Sequence, residues 1–275
     1  MKISCLPVSL FTDIVENKMS ISDWANAASE IGFTGFDLSM VMVKNHTAAY
    51  LSDLKSVLKQ VRIPAVMATT YPDFTHPSAV QRQREKTYLE HDISLCAELG
   101  IPFLRIVAGQ AHQQTTRDAG VRQVVEHFKQ ADEYAGAAGI TLVYENHAKP
   151  SAWQHVDFSY PLEIFFEIFE QLGDTGIRIN FDIGNVVSLG ENPLMVLDKI
   201  FPKIDTIHIS DMERSGEVKP VVIGTGASPI REVLVETRSR GFDGWYCIEE
   251  ASGTGLAGIR TAYEYVCGIL SEGSC

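Results

Sequence analysis

The chain has 275 residues, with 23 Lys or Arg against 35 Asp or Glu, giving a formal charge of −12. Hydrophobic residues make up 45%, which excludes wholesale disorder and leaves room for one large domain or two small ones. The acidic balance argues against nucleic acid and anionic membrane as partners, since both want a basic footprint.

Strand-like and helix-like signals alternate from end to end. Short apolar runs rich in β-branched residues begin near Ile3, Thr34, Ile63, Pro102, Ile140, Ile177, Ile204 and Gly244. The first run starts too early for a signal peptide to precede it, and no apolar stretch reaches the roughly 18 residues of a membrane span. Between the runs, apolar residues recur at a helical period. Trp24, Ala27, Ala28 and Ile31 follow the first run, with Ser20 or Ser22 as cap and Gly32 as stop. Tyr50, Leu54, Val57 and Val61 follow the second. Leu89, Ile93 and Cys96 follow the third and end at Gly100. Val121, Val124, Val125, Phe128 and Ala131 follow the fourth. Leu162, Phe165, Phe169 and Leu172 come after Pro161, read as a first helical residue. Asn192-Pro193 and Ser228-Pro229 read as caps of the sixth and seventh helices, and Ile259, Ala262, Val266 and Ile269 mark the last.

Eight strand–helix units predict a single (β/α)₈ TIM barrel over residues 1–275, in the α/β class. An open doubly wound sheet is the runner-up, but it usually carries a glycine-rich first turn, and Phe11-Thr12-Asp13 has no glycine. The five cysteines include no CxxC pair and read as mostly buried thiols of a cytoplasmic protein.

Barrel enzymes place their chemistry at the C-terminal ends of the strands. Strand five ends in Glu145-Asn146-His147, strand six in Asp182, strand seven in His208 followed by Asp211, and strand eight in Glu249-Glu250. Glu145, Asp182, His208 and Glu249 would form three carboxylates and an imidazole at one end. Such a group repels itself unless a cation neutralises it. That donor set suits one divalent ion such as Mn²⁺, Mg²⁺, Co²⁺ or Zn²⁺ and does not choose among them. A carboxylate beside a polarised hydroxy-ketone can remove the adjacent C–H proton. Return to the opposite face is epimerisation, return to the neighbouring carbon is isomerisation, and loss of a β-hydroxyl is dehydration.

The tracts Tyr144-Glu145-Asn146-His147, Phe181-Asp182-Ile183-Gly184-Asn185, Ile207–Asp211 and Ile248-Glu249-Glu250 resemble the xylose isomerase-like barrels, and more narrowly their sugar phosphate isomerase/epimerase branch. Ala97–Gly109, Gly32–Leu38 and Gly224-Thr225-Gly226 fit the same pattern. The resemblance implies a metal held by the four residues, with Glu145 and Glu249 as acid and base. It implies a substrate-contacting Arg six residues after the ligand His, where Arg214 stands, a small carbohydrate substrate, and a homodimer or homotetramer. Ketose 3-epimerases carry a His three residues after the ligand Asp, where this chain has Asn185. That departure keeps a lyase acting on a keto-sugar, keto-inositol or 3-keto-glycoside in view. An apurinic-site nuclease fits the charge and the eight histidines poorly, and a non-catalytic sugar-binding barrel fits the intact Glu145 and Glu249 poorly.

Further substrate-contact candidates are His147, Asn185, Asp211, Lys149 and His112. Arg105, inside strand four, is expected in a buried ion pair with Glu145 or Asp37. Gln110, Tyr71-Pro72 and Phe74 could wall a pocket, and Trp153 with His155 could form a lid or a subunit contact. Gly253–Gly258 matches GxGxxG but lacks the strand and acid of a dinucleotide site. With Gly224-Thr225-Gly226 it is a candidate phosphate cradle after strands seven and eight.

Overall fold

A computed structural model describes residues 1–148 and 153–272. Eight short strands occur where the apolar runs predict them: β1 (Ile3–Leu6), β2 (Phe36–Ser39), β3 (Ala65–Thr69), β4 (Phe103–Ile106), β5 (Thr141–Glu145), β6 (Arg178–Asp182), β7 (Ile204–Ile209) and β8 (Trp245–Glu249). In hydrogen-bonding order they run β1-β8-β7-β6-β5-β4-β3-β2. Apart from β1 beside β8, each strand therefore pairs with its sequence neighbour, the order expected of successive β–α units. The strands are buried nearly throughout, which is why their sequences are continuous apolar runs rather than alternating ones.

The chain forms two compact units, Met1–Val66 with Phe181–Cys275, and Met67–Asn180. In the first, β1 pairs in parallel with β8 (Leu6 opposite Glu249), and β8 with β7 (Cys247 opposite His208). Its helices are α1 (Phe11–Val15), α2 (Ile21–Ile31), α3 (Ala48–Leu58), α7 (Ile183–Ser188), α8 (Pro193–Ile200), α9 (Ile230–Ser239) and α10 (Gly255–Ser271). Ser20 caps α2 in a full capping box with Asp23, and Gly32 ends it at φ 117°, a left-handed conformation that glycine adopts without strain. Trp24 of α2 is fully buried and donates its indole N–H to the Asp37 carbonyl at 3.1 Å. The Asp37 side chain accepts from Ser4 Oγ at 2.7 Å.

In the second unit β3, β4 and β5 pair in parallel, and β5 pairs with the start of β6, Glu145 lying opposite Asn180. Helices α4 (Ala79–Leu99), α5 (Arg117–Ala138) and α6 (Leu162–Gln171) belong here. Ser78 and Thr116 cap α4 and α5, and Gly100 and Gly139 end them. Phe128, Tyr144 and Phe165 form an aromatic cluster, edge-to-face and tilted, at 5.2 and 5.1 Å between ring centroids, each ring adding roughly 1.5–3 kcal/mol by burial.

Several boundaries differ from the sequence reading. The turn after β1 is helical (α1), and a second short helix, α7, starts directly after Asp182. Val61 lies beyond α3. Pro161 is the N-cap of α6 rather than its first residue, and Pro229, not Ser228, occupies the N-cap of α9. Phe74 is not a pocket wall: it is fully buried and stacks on His127 at 4.6 Å. Cys5, Cys96 and Cys247 are buried thiols and Cys267 is half-buried, as expected, while Cys275 lies outside the described residues. No described helix is long and apolar enough to cross a membrane.

Candidate metal centre

In the first unit the ends of β6, β7 and β8 bring Asp182, His208 and Glu249 together. Their ligand atoms lie within 4.8 Å of one another. His208 Nδ1 is 3.0 Å from Glu249 Oε2 and 3.9 Å from Asp182 Oδ2. Asp182 doubles as the N-cap of α7: its Oδ1 accepts from the Asn185 N–H at 2.6 Å and from Ser210 Oγ at 2.9 Å. Ser210 Oγ in turn accepts from the Gly184 N–H at 3.1 Å. A Cβ on Gly184 would sit 2.3 Å from that hydroxyl, so only glycine lets α7 start this close to β7. One carboxylate oxygen is thereby fixed to the backbone and the other is turned toward His208. Asp182 and His208 are almost wholly buried (1% and 0% side-chain exposure), whereas Glu249 keeps 20%.

Two carboxylates and an imidazole in so small a buried space strongly favour a cation among them, because the like charges repel and have little water to screen them. Two carboxylate oxygens and one nitrogen are the donor chemistry of a divalent ion such as Mn²⁺, Mg²⁺, Co²⁺ or Zn²⁺. The residues present fit such an ion.

Glu145 ends β5 in the second unit and is fully buried. Its Oε2 forms an ion pair with Arg105 Nε at 2.9 Å, so of the two partners expected for Arg105, Glu145 is one it meets. Arg105 donates to the Thr70 carbonyl at 3.2 Å and lies over the Tyr71 ring at 4.5 Å. Two residues on, the His147 imidazole is 6.4 Å from both the Tyr71 and Trp153 rings and 4.0 Å (Nδ1 to Oδ2) from Asp157. The sequence reading missed Asp157. Burial pushes its carboxyl up to about 7, against the lowering effect of two hydrogen bonds from Ser159. The only trace in the sequence is Asp157-Phe158-Ser159, the pattern of an Asx turn.

The other candidates fall outside these groups or are otherwise employed. Asp211 is buried, but its Oδ2 accepts from the Gly224 and Gly226 N–H groups and its Oδ1 from Ser228 N–H, at 2.8–3.0 Å. It therefore holds the loop after β7, and those amides are spent on Asp211 rather than on a phosphate. In the Gly253–Gly258 tract the Ser252 N–H donates to Glu250, the Gly253 N–H to Ser9 Oγ and the Thr254 N–H to Ser252 Oγ. Those three amides are therefore already engaged within the loop. Arg214 is 76% exposed and pairs only loosely with Glu213 at 3.8 Å, on the surface. His112 Nε2 is 2.8 Å from Asp73 Oδ2, whose carboxylate also accepts from the Gln110 N–H. It belongs to the scaffold of the loops after β3 and β4 and borders a surface cavity of about 290 Å³ with Ala111, Thr115 and Tyr160. His155 packs on His112 at 5.6 Å between ring centroids. Asn185 is buried in α7. Lys149 lies outside the described residues.

Strand order and the groups at the strand ends define a β/α protein with a cluster that could hold a divalent ion. A family model for the xylose isomerase-like TIM barrel matches residues 25–266, through both units, and the chain belongs to that family. Its fold class is thus the (β/α)₈ barrel expected from the sequence. A Streptomyces coelicolor protein provisionally named a hydroxypyruvate isomerase is 23% identical over 239 residues, covering 82% of this chain and 84% of that protein. Among solved structures, the zinc-bound IOLI protein superposes with a TM-score of 0.80 at 16% identity, covering 99% of each chain. A probable 3-DHS dehydratase, AsbF of Bacillus anthracis, gives 0.77 at 16% identity, over 97% of this chain and 99% of that one.

Proposed function

We propose that this chain is a metal-dependent isomerase or epimerase of a small hydroxy-ketone carbohydrate, with Glu145, Asp182, His208 and Glu249 as ligands to one divalent ion, Mn²⁺ foremost. The observation that carries the reading is the Asp182–His208–Glu249 group, its first two members buried, at the ends of three successive strands. The place of Glu145 is supported by register. It lies opposite Asn180 of β6, and Asp182 follows Asn180 by two, on the same face of that strand. The family and the zinc-bound structural neighbour support the metal.

A divalent ion held there supplies Lewis-acid polarisation of a substrate carbonyl. Glu249, the ligand with part of its side chain exposed, takes the proton from the adjacent carbon. Glu145, steadied by Arg105, is the acid that returns it. His147 contacts a substrate oxygen beside Glu145.

The test is incubation of chelator-treated and Mn²⁺-reloaded protein with hydroxypyruvate and a ketose panel in D₂O. Deuterium should enter at the carbon next to the carbonyl in the reloaded sample alone. Full exchange in protein shown to be free of metal overturns the reading. A dehydratase is the second reading, favoured by Asn185 where ketose 3-epimerases carry histidine. In that case a substrate such as 3-dehydroshikimate loses the mass of water, whereas isomerisation leaves mass unchanged.

A further inference from the structure

Asp157 lies in the stretch that leads from β5 to α6, twelve residues past the end of the strand, yet the backbone returns it to that end. Its N–H donates to the Ala148 carbonyl at 2.7 Å, and the Phe158 N–H donates to the Gly109 carbonyl at 2.7 Å. Residue 157 also forms an isolated antiparallel bridge with Gln110. The segment is therefore stapled both to the continuation of β5 and to the loop after β4. The side chain is 0% exposed. Oδ1 accepts both the N–H and the Oγ–H of Ser159, each at 2.7 Å, and this fixes the rotation of the carboxylate. Among the described residues Oδ2 receives no hydrogen bond, and it faces His147 Nδ1 at 4.0 Å.

A carboxylate is a costly group to bury in order to close a turn that Asn would close equally well, because Oδ1 alone does that work. What Asn cannot reproduce is the second acceptor oxygen. Around the imidazole stand Tyr71 and Trp153, each edge-on at 6.4 Å, and Asp157 at the Nδ1 side. Asp157 Oδ2 is the anionic acceptor that faces the Nδ1 of His147, at 4.0 Å.

We propose that Asp157 is the positioning residue of His147: it holds the imidazole by its Nδ1 side and so directs Nε2 toward the substrate beside Glu145. A carboxylate behind a functional imidazole selects its tautomer and its ring orientation, and removing such a partner costs about 10- to 100-fold in activity in comparable sites. The inference rests on the proposed active site insofar as it gives His147 a substrate to meet.

The test reads the histidine itself. Protein labelled with ¹⁵N-histidine and supplied with diamagnetic Mg²⁺ is compared with Asp157→Asn at about pH 8.5, above the range in which the Asp157 carboxyl titrates. The His147 signals are assigned by their loss in His147→Gln. The wild-type imidazole is expected as the Nδ1–H tautomer. Asp157→Asn keeps the Oδ1 acceptor for Ser159 but places an NH₂ donor at Oδ2, so the ring should turn over to Nε2–H. In the exchange assay with hydroxypyruvate and the ketose panel, the same variant should lose about 10- to 100-fold in kcat. A wild-type ring already in the Nε2–H form overturns the proposal without any variant. So does a folded Asp157→Asn protein with an unchanged tautomer. The tautomer is measured without turnover, so an inactive wild type with the expected Nδ1–H ring would count against the proposed function and leave the positioning role standing.

Discussion

Replacing Arg105 by Met keeps the length of the side-chain stem, removes the guanidinium and leaves Glu145 buried. Both partners of this ion pair are 1% exposed and 2.9 Å apart, so neither water nor salt screens the loss. Removing one member of a buried pair costs about 3–5 kcal/mol, mostly the penalty of the stranded charge. At roughly 2–4 °C per kcal/mol for a chain of this size, Tm should fall by roughly 10 °C in chelator-treated protein. Part of that loss is the hydrogen bond to the Thr70 carbonyl and the cover over Tyr71, which no change at Glu145 returns. Adding Glu145→Gln to Arg105→Met removes the stranded charge and should recover about half of the loss. Mn²⁺ should narrow the gap between Arg105→Met and wild type, because a cation at Glu145 substitutes for the guanidinium. Denaturant unfolding of the four proteins, with and without Mn²⁺, forms the double-mutant cycle. An Arg105→Met protein within 1 kcal/mol of wild type, or a double variant no more stable than the single one, would refute this account of the site's electrostatics.

Metal removal is expected to lower Tm even where no substrate is known, since a ligand at 100 times its Kd adds about 2.7 kcal/mol; unchanged melting after exhaustive chelation would count against the centre. Asp211→Ala should free the Gly224, Gly226 and Ser228 amides, cost about 1–3 kcal/mol and speed their hydrogen exchange while leaving metal content intact. Stability should also depend on pH through Asp157. Its carboxyl rises from 3.8 to about 7 on burial, so the folded chain holds this proton where the unfolded chain has lost it. The contribution is present at low pH and is lost as pH climbs from about 4 to 7, by an order-of-magnitude ~4 kcal/mol. Asp157→Asn should flatten that decline relative to wild type. Equal slopes in the two proteins would show that the buried carboxyl does not titrate in this window.

Much of the architecture was legible because it rests on local composition. Each of the eight strands is a short, mostly apolar run, because nearly all of its residues are buried. The stops at Gly32, Gly100 and Gly139 are equally local, because a left-handed residue there favours glycine. Boundaries were less legible where helices are short. Helices α1 and α7 have 5 and 6 residues, too few for a helical period to show. Helix α7 is dictated by Asp182 acting as its cap.

The ligand candidates could be picked out for the same local reason: Asp182, His208 and Glu249 each end, or nearly end, an apolar run, and a polar residue at that point has few places to go but the strand tip. What each loop acid does with its oxygens was a different matter. Asp211 follows His208 by three residues and looked like a site residue, yet its carboxylate is saturated by amides that lie 13 to 17 residues further on. Asp157 looked like a loop residue, yet long-range backbone hydrogen bonds bring it beneath His147. The sequence alone determined the alternation of elements, the buried faces and the set of groups capable of chemistry, because those follow from each residue's own polarity and backbone preference. Which acid meets which donor was decided only by the tertiary structure, because a hydrogen bond depends on where two distant loops place their atoms to within a few tenths of an ångström.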